Sequence, residues 1–401
     1  MAFKMVENYT PAAVIKVIGV GGGGGNAVAQ MVESSIEGVE FIAANTDAQA
    51  LRNYNGDSVL QLGTNVTKGL GAGANPEVGR QAALEDRERI IDALRDTDMV
   101  FITAGMGGGT GTGAAPEIAK IAKELDILTV AVVTKPFKLE GKKRMKIAEQ
   151  GLEELRKHVD SLITIPNSKL LEVLGGDTTF EDAFREANNV LQNAVQGIAE
   201  LITLPGLVNV DFADVRAIMS EMGMAMMGAG SGQGEDRAVM AVQHAIGSPL
   251  LEGVDLQGAY GVLVNITGGP SLTINEFQDV MTVVEDLAAD DALIVMGTVI
   301  DPELTDEIRV TVVATGLDTA ETIVPVEDDF PVNLAQVSSP GTRSREVETV
   351  MANNETGSYE DPHIQAVIPQ VVGSDVVAIS TDDLFVPEEL DVPTFLRRQA
   401  D

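Results

Sequence analysis

Through the first 200 residues, short continuous apolar runs alternate with stretches whose apolar positions recur every three or four residues. VIKVIGV (14–20), VEFIAAN (39–45), DMVFITAG (98–105), ILTVAVVT (127–134) and SLITIP (161–166) have strand length and predict buried strands. Helical periodicity lies between them. RQAALEDRERIIDALRD (80–96) predicts one charged amphipathic helix, and APEIAKIAKEL (115–125) another, with Pro116 tolerated in its first turn. GGGGGNAVAQMVESS (21–35) reads as a glycine loop entering a helix. Alternation of this kind gives right-handed crossovers and a parallel sheet with helices on both faces. Its ligand crevice lies beyond the carboxyl ends of the strands.

TTFE at 178–181 predicts a capping box that opens a longer helix. Phe180, Phe184, Ala187, Leu191, Ala194, Val195, Ile198 and Ile202 form its apolar stripe. The helix must stop near Thr203 because Pro205 follows, which makes a rod about 37 Å long at 1.5 Å per residue. From about residue 224 a second set begins, with strands GVLVNITG, ALIVMGTVI and IRVTVVATG around helices EDRAVMAVQHAI and INEFQDVMTVVEDLA.

The predicted class is therefore α/β. A flexible N-terminus (1–13) precedes a Rossmann-like parallel-sheet domain (14–178), a long central helix (179–203), a loop and helix (204–223) and a smaller second α/β domain (224–317). Residues 318–390 are acidic and rich in Ser, Thr, Pro and Asn, so a disordered linker is expected. The apolar run at 364–379 does not suit a linker and has no explanation at this level. DVPTFLRRQAD (391–401) reads as a docking peptide on an acidic tether.

Composition narrows the chemistry. Hydrophobic residues are 44% of the 401, aromatics only 4%, and tryptophan is absent, so Val, Ile, Leu, Ala and Met must fill the cores. A formal net charge of −34 argues against a nucleic-acid partner, whose phosphates reward Lys and Arg. Cysteine is absent, which excludes disulfides and thiolate chemistry, and His158, His244 and His363 lie far apart in sequence. Glu7 and Lys16 interrupt any leader pattern, and no apolar run approaches the roughly 20 residues needed to span a bilayer. A cytoplasmic protein with no direct membrane insertion is expected.

Three glycine-rich stretches punctuate this frame: GGGGGN (21–26), GAGANPEVG (71–79) and GMGGGTGTG (105–113). Gly19-x-Gly21-x-x-Gly24 matches a dinucleotide fingerprint, but five consecutive glycines match almost any such template. A ribose-binding acid after the second strand is missing, since Glu40 comes too early and Asp47 follows a polar turn. Three loops on one sheet suit a triphosphate better than a dinucleotide. No G-x-x-x-x-G-K-[ST] motif is present, so helix N-termini, the hydroxyls of Thr110 and Thr112, and Mg²⁺ would have to replace the missing lysine. A Rossmann-type oxidoreductase and a nucleotide-gated scaffold with negligible turnover remain the alternatives.

GGGTGTG (107–113), with GGGGGN, NTD (45–47), GAGANP, TKPF (134–137), NVDFADV (209–215) and the terminal DVPTFLRR, resembles the tubulin/FtsZ GTPase family. The likeness covers 14–316 and resumes at the tail, whose peptide favours the bacterial cell-division branch over tubulin. It implies GTP or GDP with Mg²⁺. Gly22, Gly23, Gly24 and Asn26, with Gly105, Gly107, Gly108, Gly109, Thr110, Gly111, Thr112 and Gly113, would line the phosphates. Asn45, Asp47, Gly73, Ala74, Thr134, Pro136 and Asn167 would complete the pocket. Glu140 and Arg144 would sit on the ribose side, Phe184 would stack on guanine and Asn188 would hydrogen-bond it. The resemblance also implies head-to-tail filaments in a mid-cell division ring. Membrane-tethering adaptors of the FtsA or ZipA kind would grip Asp391, Pro393, Phe395, Leu396 and Arg397.

Asp211 and Asp214, three apart beside Asn209, share one face if their segment is helical. An N-terminal cap plus a first-turn acid is the plain reading; orienting and deprotonating water for attack on a γ-phosphate is the catalytic one. If Asn188 touches the base, Thr203 lies about 22 Å further along the helix, and eight residues to Asp211 span at most roughly 26–29 Å. The acids are thus expected to face away from their own nucleotide and to serve the next copy in a stack.

Overall fold

The structure is a computed structural model. It describes residues 13–317 except 35, 53, 176–177, 205, 221–222, 252–258 and 290–291. These fall within one compact unit, Met1–Pro325; the other unit, Val326–Asp401, lies outside the described residues. So do the expected N-terminal tail, the linker at 318–390, the apolar run at 364–379 and the docking peptide.

The elements run β1 (Ile15–Val20), α1 (Gly21–Glu33), β2 (Val39–Asn45), α2 (Ala48–Leu51), β3 (Ser58–Gln61), α3 (Thr64–Thr67), α4 (Pro76–Glu85), α5 (Arg87–Leu94), β4 (Met99–Gly105), α6 (Thr110–Glu124), β5 (Leu128–Lys135), α7 (Lys142–Arg156), β6 (Ser161–Pro166), α8 (Asn167–Leu174), α9 (Phe180–Thr203), α10 (Phe212–Met219), β7 (Gly223–Gln233), α11 (Arg237–Ile246), β8 (Gly261–Gly268), α12 (Ile274–Glu285), β9 (Leu293–Ile300) and β10 (Glu307–Leu317). Among the described residues the strands join one ten-stranded sheet in the order β3-β2-β1-β4-β5-β6-β7-β10-β8-β9. β1 to β6 are parallel, β7 joins β6 in parallel over three residue pairs, and β10 lies antiparallel between β7 and β8.

Alternate residues send the sheet's two faces into different cores. Ile15 and Val17 pack under α1 and α9, whereas Ile18 and Val20 pack with Ile90, Ile118 and Leu152 from the helices opposite. α9 buries Leu191, Val195 and Ile198 in a core that also takes Met227, Leu263 and Val313 from the second half of the sheet. The central helix therefore ties the two halves of the sheet to one core. α11 and α12 close a third core over β8 and β10.

Several expectations need correction. The glycines after β1 are not a loop: α1 begins at Gly21, and α6 begins at Thr110 rather than at Ala115, so Pro116 lies in its second turn. The charged helix at 80–96 is two, broken at Asp86, whose carboxylate accepts the Gly63 N–H (2.6 Å) and pairs with Arg89 (2.8 Å). α9 is capped one residue later than the TTFE reading placed it: Thr179 Oγ1 accepts the Asp182 N–H at 3.1 Å. Its apolar stripe reaches solvent at its start, with Phe180 65% and Phe184 46% exposed.

The sequence reading missed β3 and β7. β7, GMAMMGAGSGQ, has no apolar alternation to recognise, yet its glycines have a tertiary cause. A Cβ at Gly228, Gly230 or Gly232 would overlap the backbone carbonyls of Ala245, Ala241 or Arg237, so α11 lies directly on this strand.

Candidate functional site

The glycine loops converge at the carboxyl ends of β1 and β4. Gly21, at φ +75°, turns the chain from β1 straight into α1, and a Cβ there would lie 2.8 Å from the Gly111 nitrogen. Gly23 abuts Gly105 in the same way, at 3.2 Å. Two helix N-termini, α1 and α6, are thus held side by side, and neither has a side-chain cap. The first N–H groups of each helix have no partner in their own helix, and the backbone dipoles add partial positive charge there. This is an anion site built without lysine.

The glycines divide into two kinds. Gly24, Gly109, Gly111 and Gly113 are packed, each with a neighbouring main chain where a Cβ would go; Gly24 meets the Thr103 carbonyl and Gly113 that of Pro76. Around Gly22, Gly73 and Gly108 a Cβ would meet nothing within 4 Å. The packed members bring backbone close to backbone, and the open ones leave a bare cradle of the kind phosphates need.

Around that cradle, Thr46 and Thr110 bring their hydroxyl oxygens within 2.6 Å. Thr112 is buried, and its Oγ1 accepts the Gly107 N–H at 2.9 Å, so it shapes the loop from within. Asn45 Oδ1 accepts the Asp47 N–H at 3.2 Å, and Asp47 in turn caps α2. Gly73 and Ala74 both have left-handed backbone, at φ 58° and 56°. Thr134 is buried and its carbonyl accepts the Met106 N–H. Asn26 is exposed on the first turns of α1.

On the far side of the cradle, Glu140 accepts the Phe137 N–H at 2.8 Å and pairs with Arg144 at 2.9 Å. Arg144 packs on the Gly107 turn, where a Cβ would come within 2.8 Å of its Cγ, and Pro136 is buried beside it. Phe137 meets Phe184 edge to face, and Asn188 follows Phe184 one turn along α9, half-buried. An apolar cavity of about 250 Å³ adjoins this pair, lined in part by Leu139, Leu171, Thr179 and Phe180. Asn167 is buried at the end of β6 with its Oδ1 unpartnered, an acceptor turned toward no protein donor. Open glycines, two uncapped helix N-termini and an exposed aromatic at one rim fit a nucleoside polyphosphate.

Asp211 and Asp214 lie elsewhere. Asp211 caps α10 by accepting the Ala213 N–H at 3.2 Å, and Asp214 stands exposed in its first turn. Asn209 accepts the Gly206 N–H at 2.7 Å and closes the preceding turn. Thr203, at the end of α9, lies against Gly38 just before β2, and Arg216 donates to the Asp126 carbonyl just before β5. These contacts put the acids at the amino-terminal edge of the parallel strands. The glycine cradle is at the opposite edge, roughly 23 Å away along the seven residues of β4 at 3.3 Å each. The same edge gathers the end of β9, because Val208 and Thr298 exchange backbone and hydroxyl hydrogen bonds. Twist contributes: over the six strand steps from β4 to β9, at about 20–25° each, it accumulates to roughly 120–150° and swings the carboxyl end of β9 toward that edge.

The chain is similar to known proteins over most of its length. Residues 14–175 match the family model "Tubulin/FtsZ family, GTPase domain", and residues 223–318 match "FtsZ family, C-terminal domain". Proteins named Cell division protein FtsZ from Azotobacter vinelandii and Pseudomonas putida are each 56% identical, over 400 and 404 residues, with 100% of both chains covered. A solved structure titled "FtsZ dimer, empty (M. jannaschii)" superposes with a TM-score of 0.74 at 48% identity, covering 77% of this chain and 89% of the other. With a cradle for phosphates at one end and family matches along its length, this chain belongs to the tubulin/FtsZ family and carries its GTPase domain.

Proposed function

We propose that this chain is a self-assembling GTPase of bacterial cell division. GTP held at the glycine cradle of one copy, the head, would be hydrolysed with Asp211 and Asp214 from the opposite end, the tail, of the next. The observation that carries this reading is the separation of the two half-sites by roughly the full length of a β-strand. Neither half is sufficient: the cradle has donors for phosphate, but its carboxylates Asp47 and Glu140 are engaged by the α2 cap and by Arg144, and Asp211 and Asp214 have no anion site beside them.

In this reading the uncapped N–H groups of α1 and α6 hold the phosphates, and Phe184 and Asn188 take the guanine. Among the described residues there is no cluster of three or more His, Asp or Glu that would hold a metal. Mg²⁺ is commonly carried by phosphate oxygens and water with few protein ligands, and it would supply charge neutralisation when bound. Asp214, free in the first turn of α10, removes a proton from the attacking water. Asp211 keeps one oxygen on the Ala213 N–H and offers the other to that water. Asn209 has its Oδ1 occupied by Gly206, which leaves its amide to face a neighbouring nucleotide.

Apolar side chains support head-to-tail stacking. Leu139 (58% exposed) and Phe180 stand beside Phe137 at the head, and Leu207 (70%) stands next to Val208 at the tail end. Different surfaces meeting in this way form a heterologous contact, which propagates into a filament when its rotation does not close. GTPase turnover per molecule should rise steeply with protein concentration, and turnover that stays constant on dilution would sink the proposal. Light scattering with GTP against GDP reads assembly alongside.

No helix among the described residues is long and apolar enough to cross a membrane. We place the filaments in the cytoplasm at the mid-cell ring, tied to the membrane by FtsA- or ZipA-like adaptors through 391–398. Deleting that peptide should leave GTPase activity intact and abolish adaptor binding.

A further inference from the structure

Charge is segregated along this chain. No lysine or arginine occurs between Arg237 and Arg309, an interval that includes Asp279, Asp301, Glu303 and Asp306. In contrast, residues 135–146, KPFKLEGKKRMK, hold six bases and one acid in a protein of net charge −34. That acid, Glu140, is already paired with Arg144.

Two local rules are broken here. α7 opens with Lys142, Lys143 and Arg144 and no acid in its first turn, so three cations face the positive end of the helix dipole. Lys142 and Lys146 stand four apart, like charges stacked on one helix face. Lys138, Lys142 and Lys146 are all exposed and, among the described residues, have no carboxylate within ion-pair distance. Arg144 is the member that abuts the glycine cradle. At 100° per residue, Lys142 and Lys146 each lie about 200° around the helix from it, on the side away from the Gly107 turn. Sequences usually violate such local preferences where something outside the element compensates.

We propose that Lys142 and Lys146, with Lys138, form a carboxylate-receiving surface for the acidic tail end of a second copy of this chain. The turn Asp301–Asp306 follows β9 directly, and β9 is bonded to Val208 beside Asp211. Asp301 there pairs with Arg309 and Asp306 lies 3.7 Å from Arg237, so exposed Glu303 is the carboxylate of that turn with no ion pair among the described residues. Complementary charge at the two ends opposes head-to-head and tail-to-tail encounters, because like ends repel, and speeds the productive one. The inference rests on the head-to-tail reading and adds to it a polarity device separate from nucleotide binding.

The test uses the full chain with Lys142→Glu and Lys146→Glu together, and Arg156→Glu at the opposite end of α7 as control. Sedimentation with GTP gives the critical concentration, and a fluorescent GTP analogue gives the nucleotide Kd. The double variant should raise the critical concentration roughly tenfold at low salt, from two reversed exposed pairs. The difference should shrink as salt rises, while the Kd stays within about twofold. Its melting temperature should hold or rise, because acids suit a helix N-terminus. Arg156→Glu should match wild type. An unchanged critical concentration, an equal effect from Arg156→Glu, or a Kd that rises in step would each overturn the proposal. A wild-type chain that never sediments with GTP would instead overturn head-to-tail assembly, and this inference with it.

Discussion

Phe137 and Phe184 meet edge to face, with ring centroids 5.2 Å apart and planes at 88°. Phe137 is buried just after β5, while Phe184 is half-exposed on α9, so the buried ring fixes the orientation of the exposed one. A flat ligand meets a platform that is already ordered. Phe184→Ala removes both the pair and the platform, and stacking on an aromatic is worth about 1–3 kcal/mol per base. GTP and GDP affinities should both fall roughly tenfold or more, since the base is common to them. Calorimetry with each nucleotide checks this, and a loss confined to GTP would assign Phe184 to the phosphates instead.

The two kinds of glycine should separate on substitution to alanine. Gly24→Ala drives a Cβ into the Thr103 carbonyl, whereas Gly22→Ala meets open space. The first should lower the melting temperature sharply, with a cost on the order of 3 kcal/mol or more. The second should melt like wild type and lose nucleotide affinity. Equal melting temperatures for the two variants would contradict the packing described for α1.

Asp211→Asn and Asp214→Asn should retain nucleotide binding and lose about 10²–10⁴ in hydrolysis. Asparagine keeps the cap on α10 that Asp211 provides, so folding is spared. Mixed with wild type, either variant should enter filaments and silence only the contacts its own tail makes. Loss of GTP binding would bring the carboxylate back to its own cradle.

Glu276 offers a pH test away from the site. Burial pushes its carboxyl up, but hydrogen bonds from Arg237 and Thr273 outweigh burial and hold it below the usual range. A carboxyl depressed on folding stabilises the fold above its unfolded value, about 4.3, and that stability is lost as pH falls through the folded value. The Arg237 Nε–Glu276 contact is 2.6 Å long, with both side chains largely buried. Glu276→Gln should therefore cost roughly 1–3 kcal/mol at neutral pH, with the gap to wild type closing below about pH 4. Urea unfolding at pH 7 and pH 3.5 reads this directly, and a gap that widened in acid would refute it.

Much of the sheet was legible because buried parallel strands are continuous apolar runs: β2, β6 and β8 lie where VEFIAAN, SLITIP and GVLVNITG stand. β7 was not, because its glycines answer to the backbone of α11 and carry no pattern of their own. The break at Asp86 was equally hidden, since it depends on Gly63, 23 residues away in sequence. Phe180 and Phe184 read as core by period, yet both are exposed, Phe180 beside the cavity next to Phe137.

For the site, the sequence by itself determined that glycine-rich turns would follow β1 and β4 and that Asp211 and Asp214 lie too far along the chain for easy return. Glycine spacing and helix rise are local quantities, and local arithmetic suffices for them. Which glycines pack and which stay open, and which edge of the sheet the acids occupy, only the tertiary structure decided. Those outcomes rest on contacts such as Gly24 with Thr103 and Arg216 with Asp126, between segments that sequence leaves far apart.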